Sequence, residues 1–187
     1  MGENVRFLQV IREGCFVCVT DEEALVYVVE VDGRLRMTMR KKLVKPRGVG
    51  EWRVMAAPPP IDNLLNLFFG EEVNEKVVIW VMEVVFNDNS VRVSKALRIY
   101  ELPADKKEYV RLSNYSKEIV LINFDYEVLA VRGGYVFDRI NVTRKGGQTH
   151  LKFVAQNTLI HITEDKVDVY AFKVDTTHNP PKILIKS

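Results

Sequence analysis

Cys15-Phe-Val-Cys18 has the spacing of a zinc knuckle or a dithiol redox pair, because both chemistries bring two sulfurs together across a turn. The intervening residues argue against the turn. Phe16, Val17 and Val19 continue a β-type run, and positions three apart on a strand face opposite ways, so the thiols are expected to be separate and to bind no metal. The three histidines, His150, His161 and His178, accompany no Gly-x-Ser-x-Gly nucleophile elbow. A metal held by His150 and His161 would need a carboxylate that no spacing supplies. Gly133-Gly134 and Gly146-Gly147 open no helix and precede no Lys-Ser/Thr, so they read as hairpin turns rather than phosphate loops. The expectation is a protein with no catalytic residues, no metal and no cofactor. An active site assembled from residues distant in sequence is the third-ranked reading.

Charge supplies the one local departure. Arg34, Arg36, Arg40, Lys41, Lys42, Lys45, Arg47 and Arg53 stand against the single acid Glu51, which makes residues 34–53 +7 in a chain whose net charge is only +2. A two-residue loop at Asp32-Gly33 predicts Tyr27 opposite Thr38, Val29 opposite Arg36 and Leu25 opposite Arg40. That register sets Arg34, Arg36 and Arg40 on one face with Tyr27, the cations and ring a single-stranded nucleic acid requires. It sends Leu35, Met37 and Met39 to the core with Ala24, Val26 and Val28. The competing reading is a solvated strand whose cations meet acids of the same chain, such as Glu23 or Glu71.

The elements that must position these residues are strands. Valine occurs 29 times and alanine 8, which favours pleated, half-buried surface over helix. Turns at Asp32-Gly33, Asp88-Asn89, Gly133-Gly134 and Gly146-Gly147 predict four hairpins, the last two forming a meander over 126–156. Further strands are expected at 5–11, 15–20, 51–56, 109–113, 119–124, 158–163, 167–174 and 182–186. One short helix is predicted at 61–69, where Ile61, Leu64, Leu65 and Phe68 form a stripe after Pro58-Pro59-Pro60. Leu67 and Phe69 fall off that stripe and read as an exposed protein interface. The fold class is therefore all-β, mainly antiparallel, as β-sandwich or barrel-like units, either with a boundary near 103/104 dividing 1–103 from 104–187 or as one domain spanning the chain.

At 187 residues and 47% apolar content, the chain is expected to be soluble and globular. No run approaches a membrane span, and the N-terminus lacks a secretory pattern, so the expected compartment is cytoplasmic. Three glutamines amid abundant charge suit a heat-adapted source. The leading functional expectation is a non-catalytic interaction or assembly protein that takes a protein partner or self-associates. The alternative is a sequence-tolerant nucleic-acid binder using Tyr27 and the basic hairpin 34–53.

Overall fold

Asp32 and Gly33, Asp88 and Asn89, and Gly133 and Gly134 each separate two β-rich runs, and in the computed structural model each closes a hairpin. Gly33, Gly133 and Gly134 hold positive φ there, the left-handed conformation such turns favour. The structure describes residues 4–105, 110–124, 127–141, 150–155, 157–162 and 167–186. The fold is nearly all antiparallel β. It divides into two compact units, Met1–Ala104 and Asp105–Ser187.

In the first unit, β1 (Phe7–Arg12), β2 (Cys15–Val19), β3 (Glu23–Val29) and β4 (Leu35–Lys42) form one sheet in chain order. The second sheet contains β5 (Trp52–Ala56), β6 (Leu64–Val73), β7 (Lys76–Asn87) and β8 (Ser90–Val93), with β9 (Leu97–Pro103) also paired to β7. Val17, Val19 and Val26 of the first sheet share a core with Leu65, Leu67, Phe69 and Met82 of the second. Asp21 helps to join the two sheets. One carboxylate oxygen accepts the Val54 N–H at 2.9 Å, and the other accepts Arg6 Nε at 2.8 Å.

The helix expected at 61–69 is a strand. Ile61 bridges back to Leu64 around Asp62, whose φ is 53°, and the chain then runs extended along β7. Leu65 lies opposite Val84, Leu67 opposite Met82 and Phe69 opposite Trp80. Residues 64–69 are buried without interruption, so both faces of β6 are apolar and no alternation marks the strand. At Gly70, an added Cβ would run into Met55 on the neighbouring strand.

In the second unit, β10 (Arg111–Asn114), β11 (Ile119–Phe124), β12 (Glu127–Arg132) and β13 (Tyr135–Asn141) form the third sheet. The fourth contains β14 (His150–Ala155), β15 (Thr158–Ile162), β16 (Val167–Asp175) and β17 (Lys182–Lys186). Leu121, Val128 and Ala130 pack with Leu159, Tyr170, Phe172 and Ile183 between them. Asp138 accepts the Ile183 N–H at 2.6 Å, and the Tyr115 hydroxyl accepts the Val174 N–H at 3.0 Å. The meander expected over 126–156 is divided, because β13 pairs with β12 whereas β14 pairs with β15. The turn expected at Gly146-Gly147 lies outside the described residues.

Candidate interaction face

One extra residue decides what the first sheet shows on its outer side. In the β3–β4 ladder Leu25 opposes Arg40 and Val26 opposes Met39, but Tyr27 opposes Met37 rather than Thr38. Thr38 is thus the additional residue of a β-bulge, and its hydroxyl donates to the Val26 carbonyl at 3.4 Å. Beyond the bulge every side of β4 is exchanged relative to the two-residue-loop register. Leu35 and Met37 join Tyr27 and Val29 on the outer face, while Arg36 opposes the core-contacting Val28.

The cross-strand registers then write out the outer face as rows. Leu8, Cys18, Leu25 and Arg40 form one, and Val10, Phe16, Tyr27 and Met37 form the next. Val29 and Leu35 continue it toward the hairpin tip. Phe16 and Tyr27 stack at 5.6 Å between centroids with 14° between planes, which fixes the centre of the second row. Val10 and Leu8 are 65% and 60% exposed, and Leu35 and Met37 are 59% and 48% exposed.

The basic residues are placed otherwise than expected. Tyr27 sits among Phe16 and Met37 rather than between arginines. Arg34 pairs with Asp32 at 3.3 Å and Arg36 with Glu30 at 2.5 Å. Arg40 Nε reaches both oxygens of the nearly buried Glu23, at 2.9 and 2.8 Å. Lys41 lies opposite Ala24 and Lys42 opposite Glu23, so the two lysines belong to different faces. Lys45 donates to the Gly50 carbonyl at 2.7 Å, and Arg47 is exposed in the following connection. Glu71 meets none of these cations: its carboxylate accepts the Gly50 N–H at 2.7 Å and the Trp80 indole N–H at 3.2 Å.

Leu67 and Phe69, expected as an exposed interface, are fully buried. Phe69 stacks on Trp52 at 4.1 Å and 15°. The exposed apolar residues of this face that sequence reasoning missed are Leu8, Val10, Leu35 and Met37. Alternation over 7–11 marks Leu8 and Val10 as a pair sharing a face, whereas Leu35 and Met37 reach this face only through the bulge.

Cys15 is buried in the core and Cys18 lies half-buried on the outer face, the opposed arrangement expected from their spacing. Burial pushes the Cys18 thiol above its ordinary range, which disfavours the thiolate. A cavity of about 130 Å³ lies beside Cys15, Ile11, Met39 and Phe86, with Arg12 and Asp88 paired at 2.8 Å at its edge. In the second unit His161 is buried and its Nδ1 is 3.7 Å from Asp168, while His150 pairs in register with Ile162. Among the described residues no three His, Cys, Asp or Glu side chains gather as a metal site, and no helix is long and apolar enough to cross a membrane.

No family model and no curated protein matches the chain. Among solved structures, the crystal structure of Kluyvelomyces marxianus Hsv2 aligns over 92% of this chain and 81% of that one. The identity is 9% and the TM-score 0.32, a likeness on which no argument rests.

Proposed function

We propose that this protein is a non-catalytic interaction or assembly protein that docks a polypeptide on the outer face of its first sheet. The row of Val10, Phe16, Tyr27 and Met37 supports this reading, with Val10 and Met37 exposed at its ends and the ring pair half-buried between them. An aromatic pair flanked by flexible and branched apolar side chains suits the desolvated centre of a protein interface. The nucleic-acid alternative draws on Arg34, Arg36 and Arg40 on the face of Tyr27, of which the bulge keeps Arg40 there and turns Arg36 to the side of Val28.

A photo-crosslinking residue at Met37, in the full chain expressed in its native cells, tests the reading. The same probe at Lys95, an exposed loop position, is the control. The expected result is a polypeptide adduct of one defined mass from position 37, absent from position 95 and lost in Val10→Glu. No adduct from position 37 would refute the reading.

A further inference from the structure

β4 ends the first sheet, and among the described residues no strand pairs with its far side. Every residue from Leu35 to Lys42 is exposed except Met39, which is half-buried. The ladder with β3 decides which backbone groups reach the open side, because bonded and non-bonded pairs alternate along two antiparallel strands. The Glu30 N–H donates to the Arg34 carbonyl at 2.8 Å and the Leu43 N–H to the Glu22 carbonyl at 2.6 Å. Counting inward from each end, the bonded pairs are Val28 with Arg36, Val26 with Met39 and Ala24 with Lys41. The Val29 N–H agrees, since it turns away from β4 and donates to the Gly14 carbonyl at 2.8 Å. Leu35, Met37, Arg40 and Lys42 therefore aim their N–H and C=O groups at the open edge. These four also carry their side chains on the outer face, opposite Val29, Tyr27, Leu25 and Glu23.

Charge selects what can approach. β4 holds four cations and no acid. The three acids between Glu23 and Arg47 are each taken by an arginine: Glu23 by Arg40, Glu30 by Arg36 and Asp32 by Arg34. Lys41, Lys42, Lys45 and Arg47 are left with no ion-pair partner among the described residues. Cations along an edge deter a second edge of the same kind and complement an acidic one.

Resting on the reading that the first sheet's outer face docks a polypeptide, we infer that the docked polypeptide adds an antiparallel strand to β4, and that this segment is acidic beside Lys42 and Arg40 and apolar beside Met37 and Leu35. Strand addition lengthens the outer rows by one member each. The row of Leu8, Cys18, Leu25 and Arg40 gains a carboxylate, and the row of Val10, Phe16, Tyr27 and Met37 gains an apolar side chain. Main-chain hydrogen bonds supply affinity in such complexes, and alternate side chains supply the choice of partner. The β4 of a second copy is a poor occupant, because it brings the same cations.

Fluorescence anisotropy of the full chain with the labelled peptide Glu-Thr-Glu-Thr-Thr-Val-Thr-Val tests this. Read from its N-terminus, the peptide sets one residue opposite each residue of β4 from Lys42 to Leu35. Saturable binding is expected below about 1 mM. Replacing both glutamates by lysine weakens it at least about 10-fold. N-methylation of the first valine, opposite Met37, removes an N–H that bonds the edge and weakens binding at least about 10-fold. N-methylation of the next threonine, opposite Arg36, touches an N–H that points away and changes binding less than about 3-fold. Met37→Pro abolishes binding without removing a bond to β3, since proline is tolerated where an edge N–H faces solvent. Circular dichroism checks that this variant is folded, and if it is not, the two methylated peptides still decide. No saturable binding at about 1 mM overturns the inference. Equal losses from the two methylations overturn it, as does a lysine peptide that binds as well or a single-stranded DNA that binds more tightly than the acidic peptide. If any of these accompanies a Met37 adduct, polypeptide docking stands and strand addition falls. Absence of both peptide binding and adduct removes both.

Discussion

Replacing Phe69 by alanine separates a core residue from an interface residue by the size of the stability loss. The ring is fully buried, lies opposite Trp80, and stacks on Trp52 at 4.1 Å. Truncating a phenylalanine so placed costs about 3–5 kcal/mol through lost transfer energy and the cavity left behind. The stacked pair accounts for about 0.5–1.5 kcal/mol beyond area burial, and this contribution lies within the measured range. The expected loss is therefore about 4 kcal/mol, a large part of the roughly 5–15 kcal/mol that holds a domain together. Both tryptophans, Trp52 and Trp80, lie in the first unit, so fluorescence during urea unfolding follows that unit selectively. With a slope of about 2 kcal/mol/M, the midpoint should fall by about 2 M at unchanged slope. A loss below about 1 kcal/mol would refute the burial argument, because an exposed Phe69 is the arrangement that would give it.

Arg40→Met should destabilise the first unit by about 1–2 kcal/mol in urea titrations, because it removes a two-oxygen ion pair from the nearly buried Glu23 carboxylate, whereas Arg36→Met should stay within about 0.5 kcal/mol. His161→Leu should raise the second unit's thermal midpoint, since it removes a buried imidazole whose ring nitrogens make no hydrogen bond. The gain is about 1–2 kcal/mol, read by far-UV circular dichroism. Glu101 is held below its ordinary value of 4.5 by hydrogen bonding and attraction from Lys76, then Arg98. Its folded pKa is depressed, so its contribution is complete above the unfolded value and disappears as pH falls through the lower folded one. Glu101→Gln should therefore lower the neutral plateau slightly and flatten the acid limb below about pH 4.5, so that the two pH-stability curves converge in acid.

Strands bounded by turn chemistry were legible in the sequence, and those set by tertiary burial were not. Asp32-Gly33 and Gly133-Gly134 announce reversals because left-handed turn positions select those residues. β6 gives no such signal. Leu64 to Phe69 is buried on both faces, and an apolar run broken only by the buried Asn66 satisfies helical spacing as readily as extended spacing. Gly146-Gly147 has the composition of a tight hairpin turn although β13 and β14 belong to different sheets. At the candidate face, Leu8 and Val10 could be placed together from alternation alone. Leu35 and Met37 could not, because a bulge at Thr38 changes the pairing count without changing composition. The same single residue separates Tyr27 from Arg36.

That bulge makes surface chemistry at the hairpin a matter of phase. β4 is exposed along nearly its whole length, so few buried side chains fix its alignment, and hydrophobic and cationic residues alternate on it from Arg34 to Met37. Deleting Thr38 preserves the present phase, since Met37 already faces Tyr27 and Met39 already faces Val26. Deleting Arg36 instead moves Leu35 to the inward side and brings Arg34 out beside Val29. At this edge the number of residues between bulge and turn selects between an oily and a basic surface, and changes in length outweigh changes in side-chain identity.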